Sequence, residues 1–187
     1  MLIGGSVDGG HPTQAERVIQ CVFHLIDVQL ERGGFIPIHH DVDLRVLDEQ
    51  IAIDTPDKDA WNKQMYAVRV WHELIYDTDP NLTNILIAKD WQLWMIDFPR
   101  AFRLRKDLRE PKNLVQCDRR LLAKLRTLDK GVLNEKLSRW LKKSEIDALA
   151  ARAGRIVEFF DKEVASKGEG AVLYDFPRTQ EACGAGL

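Results

Sequence analysis

Between Asp59 and about Tyr76, the apolar residues Trp61, Met65, Val68, Trp71 and Ile75 recur at steps of three and four. That period puts them on one stripe of a helix and predicts that the stripe is buried. A short apolar run, Ile85-Leu86-Ile87, and a second, Trp94-Met95-Ile96, flank Lys89-Asp90. They predict strands over 84–88 and 91–97 joined by a turn near Lys89-Asp90.

Beyond Phe102 the period is helical again, with helices expected over Cys117–Leu128, Val132–Leu141 and Ser144–Ser166. Ser144 with Asp147 three residues on reads as the cap of the last, and Gly168 as its stop. Gly154 is a weak point within it and a place where it can bend. Upstream, Thr13 and Glu16 form a capping-box pattern before an apolar helix reaching Leu30 and ended by Gly33-Gly34. Phe35–Ile38 and Arg45–Ile53 read as short strands, the remnant of an N-terminal sheet, and residues 170–187 read as an extended tail.

The chain of 187 residues is long enough for one domain with a real core, since a domain of ~150 residues buries roughly 70 % of its unfolded surface. Its charge is uneven. Residues 1–57 carry Arg17, Arg32 and Arg45 against ten acids, whereas 100–143 hold fifteen Lys and Arg against five acids. Such a basic segment attracts anions, including nucleic acid, or forms a solvated helical face. The three cysteines, Cys21, Cys117 and Cys183, have neither a paired framework nor zinc spacing, which predicts reduced thiols in a cytoplasmic protein. No run of about eighteen apolar residues marks a transmembrane segment.

The stretch from Asp79 to Asp97 carries the candidate chemistry. Phosphoryl transfer needs a group to orient the attacking hydroxyl and oxygen ligands to hold Mg²⁺ against the nucleotide phosphates. Asp79 and Asn84 are five positions apart, on one tight loop, and a hairpin leaving Asn84 returns Asp97 toward it. Mg²⁺ prefers oxygen ligands and usually takes one or two carboxylates together with substrate phosphates.

Asp79…Asn84 followed by Asp97-Phe98-Pro99 resembles the catalytic-loop pattern D-x-x-x-x-N and the D-F-G of the protein-kinase-like superfamily. The flavour is that of the phosphatidylinositol 3/4-kinase-like branch and its bacterial relatives. The resemblance covers roughly residues 59–160, with its specific part at 76–103. It implies an α+β fold: a mostly helical C-lobe over 58–168 with a small catalytic β-hairpin, preceded by a reduced segment 1–57 with a rudimentary N-terminal sheet and followed by the tail 169–187. It implies ATP and Mg²⁺ as cofactors, Asp79 as catalytic base, Asn84 and Asp97 as metal ligands, and Leu86 and Ile96 against the nucleotide, Leu86 beneath the adenine.

Arg100 and Arg103, just past Asp97, are candidate contacts for an anionic substrate, since Arg pairs bidentately with phosphate. Their alternative role is an ion pair with an acid such as Asp77. The sequence departs from the family pattern at Asp77, Thr78 and Pro99, and no phosphate-pairing Lys precedes the site, the first Lys being Lys58. The Gly4–Gly10 run reads as a flexible start rather than a phosphate cradle. A kinase-like binding module without activity, truncated or with its missing contacts supplied by a partner chain, is therefore the alternative function. The acceptor is not dictated by the motif, because acceptor choice lies in loops outside it. His39, Asp41 and Asp43 alternate on an extended segment and read as a polar loop before a metal site, and His24 and His72 as hydrogen-bonded core histidines.

Overall fold

The computed structural model describes residues 45–46, 55–88, 91, 93–95, 98 and 100–176. Outside the described residues lie the expected helix from Thr13 to Leu30, the strand at 35–38, most of that at 45–53, the Gly4–Gly10 run, His39, Asp41, Asp43, Ile96, Asp97, and the end of the tail from 177.

The apolar stripe beginning at Trp61 becomes α1, Lys58–Ile75. The Asp57 carboxylate caps it by accepting the N–H of Ala60 at 2.9 Å, two residues before the expected start. It ends at Tyr76, which takes a left-handed conformation (φ 50°) and returns its N–H to the carbonyl of Glu73.

The hairpin follows. Strands β2 (Ile85–Ile87) and β3 (Leu93–Met95) are antiparallel, with Ile85 opposite Met95 and Ile87 opposite Leu93. Strand β1, Arg45–Val46, joins them as the third strand, pairing antiparallel with Leu86 and Ile87 in the order β1-β2-β3. These two residues, expected in a separate N-terminal sheet, therefore extend the hairpin sheet. Ile85 and Ile87 enter the main core, so alternation turns Leu86 to the opposite face, where it is also buried.

The remainder is helical, and the architecture is α+β with helices predominating. Helix α2 (Arg119–Thr127) begins two residues later than expected, because Cys117–Asp118 form a strand, β4. Helix α3 (Lys130–Leu137) starts earlier than expected and stops short of Leu141, with Asp129 accepting the N–H of Val132 at 2.8 Å. Helix α4, Lys143–Lys167, is the longest, about 37 Å at 1.5 Å per residue. Its cap is not Ser144 with Asp147. Instead the Glu145 carboxylate accepts the N–H of Lys142 at 2.7 Å, and Asp147 is taken up by Lys130 at 3.1 Å.

The stripe Leu149, Ala153, Ile156 and Phe160 of α4 is fully buried and packs against α1, α2 and α3. The helix runs unbroken through Gly154, which is exposed, and a Cβ there would meet nothing within 4 Å. Gly154→Ala is therefore expected to stabilise the protein by about 1 kcal/mol through the cost of glycine in a helix interior, read as a rise in the urea midpoint at constant slope.

The beginning of the expected tail is packed structure. A short helix, α5 (Glu169–Val172), leads into β5 (Leu173–Tyr174), which pairs parallel to β4 with Cys117 opposite Leu173. Val172 and Tyr174 are buried, the Tyr174 hydroxyl donates to the carbonyl of Lys63 at 2.6 Å, and Gln116 donates to the carbonyl of Ala171 at 2.9 Å. The Asp118 carboxylate caps α2 through the N–H groups of Arg120 and Leu121, and its second oxygen accepts the N–H of Phe176 at 3.0 Å. One buried carboxylate thus fixes a helix start and the returning chain together. Cys117 is a free, fully buried thiol whose pKa burial pushes up, so it stays protonated and unreactive.

Candidate functional site

Helix α1 organises the site through polar side chains on its otherwise apolar buried face. Gln64 is buried on the stripe that includes Val68, Trp71 and Ile75, and it grips the hairpin at two points. Its amide donates to the carbonyl of Trp91 at 3.0 Å and its oxygen accepts the N–H of Leu93 at 2.9 Å. Glu73, also buried, accepts two consecutive N–H groups from the far loop, Arg109 at 2.6 Å and Glu110 at 2.9 Å. Two backbone donors on one carboxylate satisfy a charge that would otherwise be costly to bury.

The loop carrying Asp79 leaves from the end of this helix. Asp77 is buried at 1 % exposure, and each of its oxygens is used. One accepts the N–H of Asp79 at 3.1 Å, and the other lies 3.1 Å from His72 Nδ1, a geometry in which Nδ1–H donates. Two further turns follow, with Asn81 N–H bonded to the carbonyl of Asp79 at 2.8 Å and Asn84 N–H to that of Asn81 at 3.0 Å. The 3₁₀ turn Leu82–Asn84 then delivers Asn84 to the first residue of β2.

Asp79 and Asn84 are thereby held in one tight loop, with Asp79 half exposed and Asn84 partly buried. Leu86 lies within β2. Phe98, adjacent in sequence to Asp97, is buried against Trp71 and His72, with ring centroids 6.3 and 6.1 Å away.

Arg100 and Arg103 reach this loop, but not through Asp77, whose partner is His72. Arg100 Nη1 lies 3.4 Å from an Asp79 carboxylate oxygen, and its carbonyl accepts from the Thr78 hydroxyl at 3.3 Å and from Arg103 Nε at 3.1 Å. Asp77 was too deep for a surface guanidinium to meet.

Burial by itself would raise the pKa of Asp77. The hydrogen bonds from His72 and from the Asp79 N–H, with the positive charge of His72 and Arg109, outweigh it and hold the carboxyl below its ordinary 3.8. A depressed carboxyl stabilises the folded state above the unfolded value, and this contribution is lost as pH falls through 3.8 toward the lower folded value. Asp77→Asn is expected to flatten the acid limb of a stability-versus-pH curve measured by denaturant unfolding.

A second buried charge braces the site from behind. Arg152 of α4 is completely buried, its Nε donates to the carbonyl of Leu74 at 2.7 Å, and its Nη1 donates to those of Arg103 at 2.9 Å and Arg105 at 2.5 Å. The guanidinium also lies 5.6 Å from the Tyr76 ring centroid, a cation–π distance. Burial pushes its pKa down to about 10, against the opposing pull of Tyr76 and Glu73, and it remains charged at neutral pH.

Three aromatic residues take positive φ, Tyr76 at 50°, Trp91 at 65° and Phe102 at 57°. Bulky residues there are strained by ~1–3 kcal/mol each and persist only where their surroundings over-determine them. All three border the site: Tyr76 opens the Asp79 loop, Trp91 is gripped by Gln64, and the Phe102 N–H bonds to the carbonyl of Ile75 at 2.6 Å.

Gln64, Glu73 and Arg152 are residues that sequence reasoning missed, and for Asp77 it missed the partner, His72. Two left a signal, since Gln64 and Arg152 fall on helical stripes that are otherwise apolar. Glu73 left none, because its partners are backbone groups of a distant loop fixed only by the fold, whereas Asp77 bonds His72 and the Asp79 N–H, both close to it in sequence.

The Asn84 side chain offers a hard amide oxygen of the kind Mg²⁺ takes, and Asp79 offers an exposed carboxylate on the same loop. Among the described residues no group of three His, Cys, Asp or Glu side chains forms a metal cluster. No helix among the described residues is long and apolar enough to cross a membrane. No protein-family model matches the chain, and no curated protein matches it.

Proposed function

We propose that this chain is an ATP- and Mg²⁺-dependent phosphotransferase related to the C-lobe of the protein-kinase-like superfamily. The observation that carries the reading is the braced loop: Asp79, half exposed, is fixed through its backbone by the buried Asp77, and its 3₁₀ turn hands Asn84 directly to a hairpin whose strand ends pair as Ile85 and Met95. In this reading Asp79 orients the attacking hydroxyl, and Asn84 and Asp97 hold Mg²⁺, with Asp97 following Met95 by two residues in sequence. Leu86 and Ile96 lie at the nucleotide. The metal would neutralise charge on the transferred phosphoryl group, which is where most catalysis of this reaction originates.

The Arg100–Asp79 pair favours a second reading, a kinase-like binding module without transfer, because a catalytic carboxylate held by a guanidinium is not free to accept a proton. Both partners are more than a third exposed, so the pair is weak and opens readily. Calorimetric titration of the full chain with ATP, with and without Mg²⁺, tests the proposal. Binding that depends on Mg²⁺ is expected, and a folded chain that binds no nucleotide would exclude the phosphotransferase and leave the inactive binding module.

A further inference from the structure

The loop after the candidate site combines a rigid backbone with an unusual surface. Arg152 holds the carbonyls of Arg103 and Arg105, and Glu73 holds the N–H groups of Arg109 and Glu110, so two buried charges fasten the stretch at both ends. Between them Leu104 is 61 % exposed, one of two large hydrophobic side chains exposed among the described residues. The chain thus spends two buried charges on holding an apolar side chain in water.

The neighbours of Leu104 are cations. Arg103, Arg105 and Lys106 are exposed, and among the described residues Arg105 and Lys106 have no ion-pair partner. Lys130, which pairs with Asp147 at 3.1 Å, and Lys143 extend the patch. Lys130 holds the Asp147 carboxyl below its ordinary range, and the positive charge of Lys143 and Lys106 adds to its effect. Lys130 and Lys143 are the first residues of α3 and α4, where the helix dipole favours acids. Asp129 and Glu145 satisfy the two helix starts and Asp107 pairs with Arg155 at 3.1 Å, so Arg105 and Lys106 remain as cations beside an exposed leucine.

We propose that the 103–106 loop and the adjoining starts of α3 and α4 form a docking surface for an anionic lipid membrane, with Leu104 entering the boundary between headgroups and acyl chains and the cations engaging lipid phosphates. A membrane is the partner that offers an apolar layer beside an anionic plane, and so satisfies both halves of the patch. Single-stranded nucleic acid is recognised largely by stacking on aromatic rings, and the two large hydrophobic side chains exposed among the described residues, Leu104 and Val115, are both aliphatic. The surface needs no nucleotide, and its role stands apart from the phosphotransferase reading.

The test is cosedimentation of the full chain with vesicles of phosphatidylcholine alone or with about 30 % phosphatidylserine, at low and high salt. Binding to the anionic vesicles only, weakening with salt, is expected. Arg105→Gln with Lys106→Gln should weaken it about twenty-five-fold, at roughly fivefold per cation. Leu104→Ser should weaken it about tenfold, the low end for removing a buried leucine. All these positions are exposed, so the variants should melt as the wild type does, and Lys162→Gln, far along α4, should bind as the wild type does.

The proposal is overturned by no sedimentation with anionic vesicles at low salt, or by loss in the charge variant without loss in Leu104→Ser, which would leave a plain anion-binding patch. Tighter binding to a single-stranded oligonucleotide or to polyglutamate than to the vesicles would likewise overturn it.

Discussion

Arg152→Ala is expected to destabilise the protein by about 4 kcal/mol, from the loss of buried hydrogen bonds and the cavity left behind. The arginine is fully buried, and its removal strands the carbonyls of Leu74, Arg103 and Arg105 away from their donor. Its own burial is expensive, since Nη2 has no hydrogen-bond partner and the guanidinium is desolvated. Replacing it by an apolar side chain of similar length recovers that desolvation and part of the packing. Arg152→Met is therefore expected to cost about 2 kcal/mol, roughly half as much. Urea unfolding of both variants measures the difference, and equal costs would show that the apolar side chain recovers none of the packing and that the three stranded carbonyls carry the loss.

The consequence reaches the site. Without the guanidinium, Tyr76 loses the ring contact that helps to hold its left-handed backbone, and the 103–105 segment loses its tie to α1. Hydrogen exchange at 102–110 should accelerate in Arg152→Met even where the global stability remains high, because local opening follows local bracing.

In the proposed phosphotransferase, Asp79→Ala is expected to lower transfer of the γ-phosphate of ATP by about a thousandfold, within the range for a positioned general base, while leaving Mg·ATP affinity within about threefold, since binding and transfer use separate groups. Asp97→Ala should instead abolish Mg²⁺-dependent nucleotide binding. The fold should survive Asp79→Ala, because the side chain makes only an exposed pair with Arg100 and the loop is held by backbone groups and Asp77. Single-turnover assays with γ-labelled ATP, scored for phosphate release and for label on the chain itself, measure transfer without knowledge of the acceptor. Unchanged transfer in Asp79→Ala would remove Asp79 from the chemistry, and unchanged binding in Asp97→Ala would remove Asp97 from the metal.

Local periodicity accounts for what was legible. The stripe from Trp61 to Ile75 and that of α4 each need only a neighbour to bury against, so residue spacing alone locates them. The hairpin was legible for a similar reason, its two apolar runs lying close in sequence. The pairing of Cys117–Asp118 with Leu173–Tyr174 was not, because parallel partners more than fifty residues apart leave no local trace. Two-residue strands also carry too few side chains to show a period. Hence Cys117 was expected in a helix and Tyr174 in a tail.

The same division runs through the candidate site. Sequence spacing by itself placed Asp79 and Asn84 on one loop between the long helix and a hairpin, because helix ends, turns and short strands are local decisions of the backbone. Only the tertiary structure decided that Asp77 belongs to His72 and not to Arg100, that Gln64 and Glu73 reach across to loops, and that Arg152 sits beneath them all. Those choices depend on which backbone groups lack partners once the helices have packed, and a buried donor or acceptor is matched to whatever the fold brings within 3 Å of it.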